Sequence, residues 1–276
     1  MNFEMQRIIE TALREDIGTG DVTTEATVDL TTAGQAELVA KEDFVLAGVE
    51  FAAQVFRTLD PEVSFEALIE DGQPVRRGDV IAWIKGPAAI LLQGERVALN
   101  LLQRASGIAT MTARFVTKVE GTGATIVDTR KTVPGLRYLD KFSVRAGGGT
   151  NHRTSLYDGV LIKENHIAAA GGITTAIERA RKRIPHTLKV EVETTTLSEV
   201  EEALAAGADI ILLDNMGLKQ LEDAVAMIDG KAKAEASGGV NLDTVRAIAE
   251  TGVDLISVGA LTHSCRAVDI SMLFKS

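Results

Sequence analysis

The feature that most constrains this chain is an alternation of short apolar runs and amphipathic helical stretches from about residue 123 onward. The runs span 124–127, 159–162, 188–192, 210–213, 232–236 and 255–258. Strands that alternate with helices call for a parallel sheet, because each crossover lays its helix against a sheet face. The helix starts are legible. Thr196 with Glu199 forms a capping box ahead of Leu197, Val200 and Leu204, and Asn241 is placed to cap a helix carrying Leu242, Val245 and Ile248. Polar residues or glycine close the last five runs at Lys163, Glu193, Asp214, Ser237 and Gly259, with gaps of 30, 21, 23 and 22 residues. That spacing gives one strand–helix unit per gap and favours a barrel over an open doubly wound sheet. Six clear runs predict an incomplete barrel of six or seven strands. All strand C-termini of a barrel open on one face, where the active sites of such folds sit.

The N-terminal part reads differently. A helix is expected over 1–16, with Ile8, Ile9, Ala12 and Leu13 on one face. Between about 33 and 86 the period drops toward two. Val63, Phe65, Ala67 and Ile69 alternate with polar partners, Asp71-Gly72 and Gly78-Asp79 mark turns, and 80–84 makes a further strand. Residues 88–119 return to helical period through Leu91, Leu92, Val97, Leu101 and Leu102. This part is α+β with an antiparallel sheet.

Charge and composition exclude several functions. The formal charge is −10, from 39 acidic and 29 basic residues, against the basic excess of a nucleic-acid binder. The longest stretch without Asp, Glu, Lys or Arg has thirteen residues, 165–177, short of the ~20 apolar residues of a membrane-spanning helix. The N-terminus is acidic and amphipathic rather than signal-like, and Cys265 is the single cysteine. A cytoplasmic protein without an internal disulfide is the expectation.

Against this acidic background, residues 126–166 concentrate Arg130, Lys131, Arg137, Lys141, Arg145, Arg153 and Lys163 against four acidic residues. Such a patch points to a small, multiply anionic ligand. Arg130 and Lys131 follow a buried-looking strand, and His152-Arg153 follows the glycines 147–149. A guanidinium grips a carboxylate or phosphate bidentately and a lysine adds a point charge. Arg137, Lys141 and Arg145, spaced four apart, suit an anion contact or a solvated helix face equally. Glu193 and Asp214, ending adjacent strands, suit a hard divalent cation such as Mg²⁺. Glu191 is read as facing the other side of its strand and as the weaker candidate. Ser237-Gly238-Gly239 and, one unit later, Gly259-Ala260 make paired phosphate turns. Two mimics are set aside. The segment 71–86 resembles part of a biotinyl or lipoyl hammerhead but has no carrier lysine at a hairpin tip. Lys163 could serve as a Schiff-base lysine of a barrel aldolase, but that chemistry wants an apolar pocket rather than polycationic surroundings.

Several long motifs in order, GERVALNLLQRASGIAT, DTRKTVPGLR, AGGGTNHR, LYDGVLIKENH, VEVE, ILLDNM, EASGGV and SVGALTHS, with EDIGTGDVTT near the start, resemble the quinolinate phosphoribosyltransferase family. The resemblance covers nearly the whole chain. It implies an N-terminal α/β sandwich over 1–110, with the tail 266–276 free to pack against it, and an incomplete α/β barrel over 111–265. It implies transfer of a phosphoribosyl group from 5-phosphoribosyl-1-pyrophosphate (PRPP) to quinolinate with loss of CO₂, assisted by Mg²⁺. It also implies a homodimer with shared active sites, with further assembly of dimers left open. By this similarity Arg96 reaches the quinolinate of the neighbouring subunit. Thr129, Arg130, His152, Arg153 and Lys163 cradle its carboxylates, with Lys131 beside them. Glu193 and Asp214 hold the phosphoribosyl hydroxyls and Mg²⁺, directly or through water or substrate, and Ser237, Gly238, Gly239, Gly259 and Ala260 bind the 5-phosphate. Lys131, Lys163, Glu193 and Asp214 are the expected catalytic set. The alternatives are a related pyrophosphorylase-like protein of molybdenum-transport operons acting on another base, and a non-catalytic binder of phosphorylated metabolites.

Overall fold

The protein is described from a computed structural model that covers residues 2–29 and 31–275. Met1, the first residue of the expected N-terminal helix, Leu30, and Ser276, the last residue of the expected tail, lie outside the described residues. In chain order the elements are α1 (Phe3–Ile17), α2 (Val22–Thr27), β1 (Ala33–Ala40), β2 (Phe44–Val45), α3 (Val49–Leu59), β3 (Ser64–Ala67), β4 (Pro74–Val75), β5 (Val80–Pro87) and α4 (Ala88–Val119). Then follow β6 (Thr125–Val127), α5 (Arg137–Ala146), β7 (Val160–Ile162), α6 (Glu164–Ala170), α7 (Ile173–Arg181), β8 (Val190–Thr194), α8 (Leu197–Ala205), β9 (Ile210–Asp214), α9 (Leu218–Ile228), β10 (Lys233–Ser237), α10 (Val245–Glu250), β11 (Leu255–Ser257), α11 (Ala260–His263) and β12 (Ile270–Phe274).

The chain divides into two compact units. The first comprises 1–113, 132–148 and 262–276, and the second 114–131 and 149–261. The expected boundary at 110/111 therefore misses 132–148, which joins the first unit. The reason is packing. Within α5, Tyr138 and Phe142 set their rings 6.1 and 5.6 Å from that of Phe51, and Asp140 receives both arms of Arg104 from α4, at 2.9 and 2.8 Å.

In the first unit an antiparallel sheet runs β12–β1–β5–β3, so the C-terminal strand pairs with the first one. Leu38, Ile81 and Ile84 from this sheet join Phe51, Phe56, Leu91 and Leu102 from helices in one buried cluster. Because β3 is the edge strand, Phe65 is only half-buried and Ala67 is exposed, although the alternation suggested a buried face. The turn at Arg76–Asp79, within the hammerhead-like segment, simply joins β4 to β5.

In the second unit all six strands are parallel, in the order β6–β11–β10–β9–β8–β7. Val127, Val160, Glu191, Ile210, Glu235 and Leu255 contribute one residue from each strand to the wall of a single cavity of about 430 Å³. A flat sheet could not do this, so the sheet curls around the cavity. The sheet order ends at β6 and β7, and beyond β6 there is one parallel bridge, from Val127 to Thr150. The result is an incomplete barrel of six strands. Thr196 and Glu199 form the expected capping box of α8. Asn241 differs from expectation. Its Oδ1 accepts the N–H groups of Asp243 and Thr244 at 2.9 and 3.1 Å, forming a turn, and the regular helix begins only at Val245.

Candidate active site

Parallel strands place all their C-termini at one edge, and that edge collects the chemistry of the sequence. Thr129, Arg130, Lys131, His152, Arg153, Lys163 and Ser237 line a cavity of about 290 Å³ there, together with Leu161, Leu212, Glu235 and Ser257. Arg130 is half-buried, and its Nε is a buried N–H donor without a protein partner. Such a donor costs folding free energy unless a ligand satisfies it. Arg153 donates to the carbonyl of Gly159 at 3.0 Å. Burial, and then the neighbouring Arg130, lower its pKa from the usual arginine value.

The loop that carries His152 and Arg153 is tied down by Asp128, a fully buried carboxylate whose role the sequence did not reveal. Asp128 accepts the His152 backbone N–H at 2.8 Å and the Asn151 side-chain amide at 2.7 Å. The only hint was its place immediately after the run 124–127.

Lys163 is exposed and reaches the Glu193 carboxylate at 3.0 Å. An exposed, ion-paired amine is the opposite of the apolar pocket a Schiff-base lysine needs, which removes the aldolase reading. Asp214 ends β9 and accepts from the Asn215 side chain at 2.8 Å. Glu193 and Asp214 offer oxygen donors from adjacent strands. Among the described residues no third His, Cys, Asp or Glu joins them in a ligand group.

Gly238 and Gly239 adopt φ of +94° and +61°, a left-handed region that favours glycine. A Cβ on Gly238 would also fall 2.1 Å from the Asn215 Oδ1. The turn after β10 therefore keeps its backbone bare. Gly259 and Ala260 follow β11 at the same edge of the sheet. Glu193, Asp214, Gly238, Gly239, Gly259 and Ala260 sit at strand ends without lining the 290 Å³ cavity. Arg96 is on the exposed side of α4 in the first unit and does not line it either. Of the basic residues in 126–166, Arg137, Lys141 and Arg145 are on α5, outside the barrel unit.

The orientation expected for Glu191 is corrected. Residues two apart on a strand share a face, so Glu191 points inward with Glu193 and meets His152 Nε2 at 2.9 Å. Glu235, also missed, stands 3.7 Å from the same nitrogen. Its sequence signal was an acidic residue flanked by Ala234 and Ala236 in an apolar run. Burial, then the facing Glu191 carboxylate, push Glu235 up to about 7, while His152 and a Ser257 hydrogen bond pull it down.

The sequence matches the family model of the quinolinate phosphoribosyl transferase C-terminal domain over residues 108–273, and that of the N-terminal domain over 21–106. The chain belongs to the quinolinate phosphoribosyltransferase family. A probable nicotinate-nucleotide pyrophosphorylase [carboxylating] of Bacillus subtilis is 45% identical over 271 residues, 98% of this chain and 93% of that protein. A quinolinate phosphoribosyltransferase [decarboxylating] of Nicotiana tabacum is 42% identical over 98% of this chain and 82% of its own length. The crystal structure of NadC from Streptococcus pyogenes superposes with a TM-score of 0.95 at 41% identity, covering 100% of this chain and 99% of that one. The family division at 106/108 falls in α4.

Proposed function

We propose that this quinolinate phosphoribosyltransferase family member joins quinolinate to PRPP, releasing pyrophosphate and CO₂ and giving nicotinate mononucleotide for de novo NAD synthesis. The single observation that carries the reading is the cationic strand-end cavity in which Arg130 keeps a buried N–H donor unpaired. A pyridine diacid supplies the missing acceptors. In this reading Arg130, Arg153 and Lys163 take the two carboxylates, with Thr129 and Lys131 beside them, and His152, whose two ring nitrogens are already engaged by the Arg153 N–H and Glu191, lines the site beneath. They fix the ring nitrogen toward the ribose C1 carbon. Positioning and preorganised charge then carry most of the rate, and no protein nucleophile is required. Once the nitrogen is quaternary, the electron pair left by the departing carboxylate is stabilised by the pyridinium.

Glu193 and Asp214 take the ribose hydroxyls and have the oxygen donors that a hard cation favours. Each already has a protein partner, at 3.0 and 2.8 Å, so cation contacts would run partly through substrate oxygens or water. Mg²⁺, when bound, neutralises charge on the leaving pyrophosphate. The bare backbone at Gly238 and Gly239 receives the 5-phosphate, joined by Ser237, Gly259 and Ala260. The test is direct. Purified protein with labelled quinolinate, PRPP and Mg²⁺ is expected to release CO₂ and form nicotinate mononucleotide, and excess EDTA to stop both. A metabolite binder releases neither product, and a pyrophosphorylase for another base leaves quinolinate untouched.

We also infer a cytoplasmic homodimer in which Arg96 of one chain serves the cavity of the other. What supports this is the family resemblance and the exposed position of Arg96 on α4. Mixing inactive Arg96→Ala and Lys163→Ala subunits is expected to restore partial activity, up to about a quarter of wild type, since half the chains form heterodimers with one intact site. No recovery after verified subunit exchange would refute the shared site.

A further inference from the structure

The 430 Å³ cavity on the inner side of the barrel takes no part in the chemistry above, yet its wall holds two deeply buried carboxylates. Glu191 and Glu235 are 4% and 1% exposed, and the Oε1 atom of each has no hydrogen-bond partner. Glu235, His152 and Arg153 line both this cavity and the cationic one, so they form the floor between them. The hydrogen bonds fix the state of the histidine. Its Nδ1 accepts the Arg153 backbone N–H at 2.7 Å, so the ring proton is on Nε2 and is donated to Glu191 at 2.9 Å. Glu191 thereby gains a hydrogen-bond donor, whereas Glu235, 3.7 Å from the same nitrogen, receives no such bond. A buried pair of this kind retains one proton, and it belongs on Glu235. The other charged groups lining the two cavities are Arg130, Lys131, Arg153 and Lys163 on the upper side and Asp158 and Lys189 on the lower wall.

We propose that Glu235 is the general acid that protonates C2 of the pyridine ring as the carboxylate there leaves. The assignment rests on the function proposed above. The bond from C2 to the carboxyl carbon breaks, CO₂ departs, and its electron pair remains on C2. The Glu235 O–H proton then forms the new C2–H bond. The resulting Glu235 carboxylate is reprotonated from water in the lower cavity, away from the substrate mouth. A group titrating at about 7 is neutral often enough to donate at working pH.

The test compares wild type, Glu235→Gln and Glu235→Asp from pH 5.5 to 9, following CO₂ and nicotinate mononucleotide. The amide keeps the shape and cannot give up a proton. The expected result for Glu235→Gln is a kcat at least about 10²-fold lower, with KM for quinolinate within about threefold. Wild-type kcat should fall about tenfold per pH unit above about 7, a limb that Glu235→Gln lacks and Glu235→Asp partly restores. A folded-state pKa above the ordinary 4.5 means that stability falls as pH rises from there through about 7. The permanently neutral glutamine should therefore melt no lower than wild type at pH 8. A Glu235→Gln kcat within threefold of wild type, a retained limb, or a loss confined to KM would overturn the assignment. Should that variant fail to fold, a wild-type kcat flat from pH 6 to 9 overturns it equally. A wild type that releases no CO₂ defeats the proposed function; an active wild type matched by Glu235→Gln defeats this assignment alone.

Discussion

Alanine in place of Arg130 should cut kcat/KM for quinolinate by about 10²-fold or more while leaving KM for PRPP within about threefold. A charge-assisted hydrogen bond contributes ~1.5–3 kcal/mol, and a guanidinium can make two to one carboxylate. Losing both costs at least ~3 kcal/mol, about a hundredfold. Lysine at the same place should recover only part, because it restores the charge without the planar fork. Stability should move the other way. The buried Nε of Arg130 has no protein partner, so the free protein bears its desolvation cost. Arg130→Ala is therefore expected to melt no lower than wild type. Steady-state kinetics on the purified variant decide the matter, and wild-type values would remove Arg130 from the quinolinate cradle.

The second large effect concerns folding. Asp140 is fully buried and accepts both arms of Arg104, at 2.9 and 2.8 Å, plus a longer bond from the Val133 N–H at 3.3 Å. Arg104 also donates to the Thr262 carbonyl at 3.1 Å. Arg104→Ala leaves a buried carboxylate without its counter-charge, and breaking such a pair costs ~3–5 kcal/mol. Denaturant unfolding should report a loss of that size. Replacing both residues, Arg104→Met with Asp140→Leu, should recover much of it, because the double variant buries no charge. A single-variant loss below about 1 kcal/mol would show that the pair does not hold α5 in place.

How much of the site was legible depended on where each residue stood relative to a periodic element. Lys163, Glu193, Asp214 and Ser237 close apolar runs, and a parallel sheet brings such positions to one edge whatever the loops do. Asp128, Glu191 and Glu235 behaved differently. Two of them lie inside strands, where a charge is normally excluded, and their partner is the loop residue His152, whose approach no local pattern encodes. The two-residue period by itself places Glu191 on the same face as Glu193.

The amino-acid sequence alone determined the alternation of strands and helices, the barrel class, the order of the glycine-bearing turns that follow β10 and β11 and, through its long motifs, the family. These are local or collinear properties, set by hydrophobic period and residue type. The tertiary structure decided the placement of α5 with the first unit, through Phe51 and Arg104, and the burial of Asp128. It also gathered His152, Glu191 and Glu235 at one floor between two cavities. Those contacts join residues 24 to more than 80 positions apart, and only closure of the fold selects them.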